Sequence, residues 1–148
     1  MLRITLAVAV AVAALLGLAA CRPPVRWSPV SYHSDVLEQE DPVAVLEHLL
    51  LRDRELAPIS VDMTRSGIVF YFFQGPPTLL NFGEITAMQL LFAPELGQYD
   101  VDVRSPRGTL YRYAAADQEK AKAFIDALTA VKAQPALLPN RAFKAWAQ

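Results

Sequence analysis

One cysteine, Cys21, occurs in the 148 residues. An intramolecular disulfide and a thiolate zinc site are therefore excluded, and the domain must hold together by packing alone. Histidine is nearly as scarce: His33 and His48 fall in different segments, and neither has a second ligand at metal-binding spacing. No block of like charge occurs and the formal net charge is −1, so the basic face that nucleic acid requires is missing and nucleic acid is not expected as a partner. Glycine is sparse, with six residues, and none sits in a phosphate-cradling loop; a serine elbow and an HExxH pair are also missing. These gaps remove the chemistries that leave short signatures. The chain reads as a non-enzyme with no metal and no freely bound cofactor.

What is present begins at the N-terminus. Met1-Leu2-Arg3 is a short positive start, Ile4 to Leu16 an apolar core, and Gly17-Leu18-Ala19-Ala20 a small-residue approach to Cys21. That three-part layout is the pattern of an export signal. The apolar run from Ile4 to Ala20 lies at the lower edge of the roughly 17–25 residues that span a bilayer as a helix. A retained transmembrane anchor, with Cys21 incidental, is the alternative.

Leu18-Ala19-Ala20-Cys21 resembles the lipobox of bacterial lipoproteins, and the resemblance covers the first twenty-one residues. It implies cleavage between Ala20 and Cys21, a diacylglyceryl thioether on the Cys21 sulfur, and an acyl chain on the new amine. That covalent lipid is the one prosthetic group expected. Lipoproteins retained at the inner membrane commonly carry aspartate after the lipidated cysteine; here Arg22 stands there, which implies the outer membrane, with the domain facing the periplasm. Removing Arg3 with the signal leaves a slight acidic excess. The expected organisation is a signal peptide over 1–20, a lipidated proline-rich tether over 21–40, a folded domain over 41–134 and a tail over 135–148. Pro23, Pro24 and Pro29 make the tether stiff and extended, standing the domain off the bilayer.

Within the domain, Asp41-Pro42 is a helix opening, an N-cap oxygen followed by proline at the first helical position. It predicts a helix to about Leu56 with Val43, Leu46, Leu49, Leu50 and Leu56 on one face, ended by Ala57-Pro58. The period then switches to two. Ile59, Val61 and Met63 alternate with polar residues, Arg65-Ser66-Gly67 supplies a turn, and Ile68 to Phe73 returns. Thr78–Phe82, Ile85–Phe92, Tyr99–Val103 and Thr109–Tyr113 follow as short strands. Asp117 caps a closing helix whose apolar stripe is Ala121, Phe124, Ile125, Leu128 and Val131. The expected class is α+β, a small antiparallel sheet or barrel of about six strands with an N-terminal helix and a C-terminal amphipathic helix. From Ile59 to Val131 the order resembles the pleckstrin-homology-like superfold, with a helix-flanked open sheet as the rival. The phosphoinositide binding often attached to that superfold is disfavoured, because the first hairpin loop offers only Arg65.

Tyr99, Tyr111, Arg112 and Tyr113 form a candidate interaction surface, since tyrosine and arginine are enriched in interface hot spots. Phe143 and Trp146 in the tail join it if they dock on a partner rather than on the domain. A partner protein of the envelope, reached from a lipid anchor in the membrane, is the leading expectation. Tyr71-Phe72-Phe73 carry the alternative, a periplasmic binder of a lipid or other apolar ligand, against a strand packed on both faces. His33 with Asp35 and Glu38 make a conceivable metal corner, although a polar approach to a helix accounts for them as well. Asp100 and Asp102 alternate with Tyr99, Val101 and Val103 and read as the wet face of a strand. Glu84 beside Gly83 reads as a bend residue.

Overall fold

The computed structural model describes residues 24–34, 41–51, 58, 60–134 and 141–144, the last four by their backbone only. Among the described residues, eight strands and two α-helices follow in the order β1 (Ser28–Val30), α1 (Pro42–Leu51), β2 (Ser60–Thr64), β3 (Gly67–Tyr71), β4 (Thr78–Asn81), β5 (Ala87–Ala93), β6 (Gln98–Ser105), β7 (Gly108–Ala115), α2 (Gln118–Ala133) and β8 (Arg141–Lys144). The class is α+β with antiparallel sheets. In place of one six-stranded sheet there are two four-stranded ones, ordered β1-β5-β6-β7 and β4-β3-β2-β8.

The two edge strands that sequence alone does not reveal are β1 and β8. Ser28, Pro29 and Val30 pair with Phe92, Leu91 and Leu90, so the end of the segment read as a free tether belongs to the first sheet. Proline is tolerated at an edge because the missing N–H leaves no ladder bond unmade. The tail contributes β8, whose backbone pairs Phe143 with Val61 and Arg141 with Met63. Trp146 lies outside the described residues, as do Asp35, Glu38, Leu56, Ile59 and the whole segment to Pro23.

Local signals hold where the chemistry is local. Asp41 Oδ1 accepts the N–H groups of Val43 and Ala44, both at 3.1 Å, and Asp117 Oδ1 accepts that of Lys120 at 2.8 Å. Each satisfies donors the first helical turn leaves open. Helix α1 buries Val43, Leu46, Leu49 and Leu50 and packs against α2. Helix α2 in turn packs on β5, β6 and β7 with Ala121, Phe124, Ile125, Leu128 and Val131 buried. Between the sheets and helices lie Val61, Met63, Ile68, Phe70, Leu80, Leu90, Val101, Val103 and Tyr113.

Each sheet has a turn at a common end. Phe82–Glu84 form one 3-10 turn after β4. The Phe82 N–H donates to Ser66 O at 2.9 Å and the Thr86 N–H to Arg104 O at 2.8 Å. One short segment thus ties the β2–β3 turn to the end of β6, where the β6–β7 turn begins. Lys132 Nζ closes the same end on Ile85 O at 2.7 Å. Here Gly67 passes close to β4: a Cβ on it would stand 2.3 Å from the Leu80 carbonyl oxygen. Backbone cannot yield as a flexible side chain does. Gly67→Ala should therefore cost about 1–3 kcal/mol, the usual range for overpacking, read as a lowered urea midpoint; an unchanged midpoint would show that β3 and β4 separate freely.

Candidate functional site

Strand β6 is buried at four consecutive positions, Asp100 to Val103, so both of its faces are covered. Val101 and Val103 point inward. Asp100 and Asp102 lie on the outer face, only 3% and 6% exposed. The alternation predicted the correct face and the wrong environment: these carboxylates are not wet.

Their cover comes from the two sheet edges and from neighbours on β6 itself. Arg112 on β7 stands opposite Asp102 in the ladder and its Nε lies 3.3 Å from Asp102 Oδ1. Thr109 Oγ1 donates to Asp102 Oδ2 at 3.1 Å, and Arg104 Nε lies 3.9 Å from the same oxygen. Gln98 Nε2 donates to Asp100 Oδ1 at 2.8 Å. Above them, the Arg112 guanidinium carbon sits 5.8 Å from the centroid of the Trp27 ring. Trp27 directly precedes β1, and β1 and β7 are the opposite edges of the sheet, three strand spacings or about 14 Å apart. An indole and a guanidinium that start so far apart and meet must roof the strands between them. Cation–π contact and the charged hydrogen bonds fix the roof in place.

Both arginines are about half exposed while the Asp102 side chain is not. Solvent can therefore compensate the arginines, whereas the carboxylate depends on them. Arg104→Ala combined with Arg112→Ala should destabilise by about 1–3 kcal/mol, the cost of a buried acceptor left unsatisfied. Adding Asp102→Leu should recover part of that loss, since an apolar residue is tolerated where an unpaired charge is not. Chemical denaturation of the double and triple variants checks the order; a triple variant no more stable than the double would mean the carboxylate does not need its cations.

The other sequence-predicted residues fall elsewhere. Tyr113 is buried and stacks on Phe124, with centroids 4.4 Å apart. Tyr111 stacks on Phe70 at 4.5 Å, and Tyr99 on Phe92 at 4.5 Å. These three tyrosines take part in packing, and Arg112 alone of that group stands on the outer face. His33 and His48 are exposed in separate segments, and among the described residues no three His, Cys, Asp or Glu side chains gather as a metal site would require. Of the aromatic run, Phe70 is in the core, Phe72 packs partly against it, and Phe73 is 86% exposed. On the outer face of the second sheet, the Tyr71 hydroxyl is held above its ordinary value of 10.0, first by its hydrogen bond to Asp62, then by desolvation and the Asp62 charge. Glu84 lies in the 3-10 turn and lines an open groove of about 270 Å³ with Gly83, Thr86, Ser105, Pro106 and Arg107.

Trp27 is the residue that sequence reasoning missed. A tryptophan in a stretch otherwise made of proline and small polar residues is the signal that was available, because so much apolar surface seldom goes uncovered. Among the described residues no helix is long and apolar enough to cross a membrane. Comparison with known protein families, curated proteins and solved structures finds no match.

Proposed function

We propose that the protein is a non-enzymatic lipoprotein of the bacterial envelope, anchored through acyl chains on Cys21 to the outer membrane on its periplasmic side, with its α+β domain serving as a protein-interaction module. The observation that carries the interaction reading is the outer face of the first sheet. There the half-buried Trp27 and half-exposed Arg112 stand together over a rigid ladder. Tryptophan and arginine are the residue types richest in interface hot spots, and a buried acidic partner fixes the arginine in advance, which lowers the entropy cost of binding. The partner that fits is a protein offering hydrogen-bond acceptors to the guanidinium and an apolar contact to the indole.

The meander β2-β3-β4, the meander β5-β6-β7 and the helix that follows have the order of a pleckstrin-homology-like domain, with β1 and β8 as additional edges. Folds of that kind serve as binding platforms, and the role lies in the surface grafted on them. The apolar-ligand alternative draws less support, because Ile68 and Phe70 fill the core.

Photocrosslinking in intact cells tests the reading. A photoreactive residue replacing the exposed Thr109 should give a discrete adduct with one envelope protein, and Arg112→Gln, which keeps a donor towards Asp102, should weaken it without lowering protein level. A residue placed at Arg65, on the other sheet, should give none. Adducts that are equal at both positions, or that are unchanged by Arg112→Gln, would overturn the interaction surface.

A further inference from the structure

The chain enters the domain as a clip over one edge of the first sheet. Trp27 stands on the outer face beside Arg112, and Ser28, Pro29 and Val30 then form β1 against β5. Beyond β1 the side chains alternate: Ser31 and His33 are exposed, Tyr32 and Ser34 half-buried. Val30 and Tyr32 pack against the core, and the Tyr32 hydroxyl donates to Asp126 Oδ2 at 2.6 Å. Asp126 belongs to α2, which covers the inner face of the sheet where Phe124 stacks on Tyr113. One turn earlier on that helix, Lys122 Nζ lies 5.7 Å from the centroid of the Tyr32 ring. The stretch from Trp27 to Tyr32 thus carries the chain from the outer face, round the edge, to the helix on the inner face.

The ladder of β1 fixes its own register poorly. It has three residues, of which Ser28 and Pro29 are exposed, and Pro29 has no N–H to donate; register is set weakly where a strand buries so little. Yet the place of Trp27 depends on that register. A slip of two residues keeps the indole on the outer face and displaces it by about 7 Å, more than its present 5.8 Å from the Arg112 guanidinium carbon. The Trp27–Arg112 contact tolerates sliding, because cation–π attraction acts anywhere within about 6 Å of the ring centroid. A hydrogen bond does not, since it weakens steeply with distance and angle. Asp126 is held by a helix packed on three strands, and it needs Tyr32 in return: its Oδ1 is buried and finds no hydrogen-bond partner among the described residues. We infer that Tyr32 is a positioning residue for the proposed interaction surface, pinning β1 through Asp126 so that Trp27 stays over Arg112 and the carboxylates beneath. The inference rests on that surface for its consequence, whereas the pin itself is a property of the free domain.

In full-length protein carrying Trp146→Phe, Trp27 is the single tryptophan, and its emission and acrylamide quenching report its cover. Tyr32→Phe, which deletes one oxygen, and Asp126→Leu should each shift the emission to the red and raise the quenching constant towards that of an exposed indole. Asp126→Asn keeps an acceptor for the hydroxyl and should leave both readings at the parent value. Ile68→Val trims a fully buried core residue of the second sheet and should also leave them there, whereas a general loosening of the fold would raise quenching in this variant too. Unchanged quenching in Tyr32→Phe and Asp126→Leu, or an equal rise in Ile68→Val, would overturn the inference. The photoadduct at position 109 separates the pin from the surface it serves. Release of Trp27 with a weakened adduct supports both; release with an undiminished adduct leaves the pin standing and overturns the interaction surface.

Discussion

Cys21→Ser is expected to abolish the acyl mass of the purified protein and to empty the outer-membrane fraction of it. Serine is close to cysteine in size, but its hydroxyl offers no thiolate to become a thioether. The size of the effect follows from the number of chains. A single acyl chain binds membranes only marginally, with an association constant of about 10⁴ M⁻¹. Each further buried methylene contributes about 0.8 kcal/mol, so a diacylglyceryl group with an N-acyl chain is held effectively permanently and its loss is close to all-or-none. Intact mass and membrane fractionation of the two proteins side by side read both outcomes. If wild type and variant both keep Met1 to Ala20 and stay in the same membrane fraction, the segment is a transmembrane anchor and Cys21 is incidental.

The sequence made legible whatever is decided within one element. Asp41 and Asp117 cap their helices because a cap is a contact within three residues. Val101 and Val103 face inward because a strand alternates. The same period-two rule separates Tyr111 and Tyr113 from Arg112, so a grouping by residue type put residues from two faces on one surface. Asp100 and Asp102 were misread for a different reason. Alternation assigns a face, but whether that face meets water depends on what crosses it, and Trp27 arrives from the far edge of the sheet. Strand β1 stayed hidden because Pro29 argues against a strand everywhere except at an edge. Strand β8 is only four residues long and is defined by β2 beside it rather than by its own pattern. The candidate site is thus made of long-range contacts, which a local pattern does not contain.

The largest loss of stability is expected from Phe124→Ala. Phe124 is the aromatic residue of α2 and has no exposed surface. It stacks on Tyr113 at 4.4 Å and lies 6.4 Å from Tyr111, which itself stacks on Phe70 with the ring planes 1° apart. Four rings therefore join helix, first sheet and second sheet in one contiguous cluster of two stacked pairs, and Phe124 is the helix's contribution to it. Truncation removes the transfer free energy of the ring and leaves a cavity walled by sheets that cannot collapse onto a rigid helix, together about 3–5 kcal/mol. Against a total stability of about 5–15 kcal/mol, that is enough to leave a sizeable unfolded fraction at growth temperature. Phe124→Leu keeps most of the volume and should cost less than about 1.5 kcal/mol. Urea denaturation followed by near-ultraviolet circular dichroism checks both variants, since the stacked tyrosines report the loss of ordered rings. A double-mutant cycle between Phe70→Leu and Tyr111→Leu should give a coupling of about 0.5–1.5 kcal/mol, the range for aromatic pairs beyond area burial. No coupling, together with a Phe124→Ala midpoint close to that of the leucine variant, would mean that the sheets are joined through the aliphatic core and that the rings merely fill it.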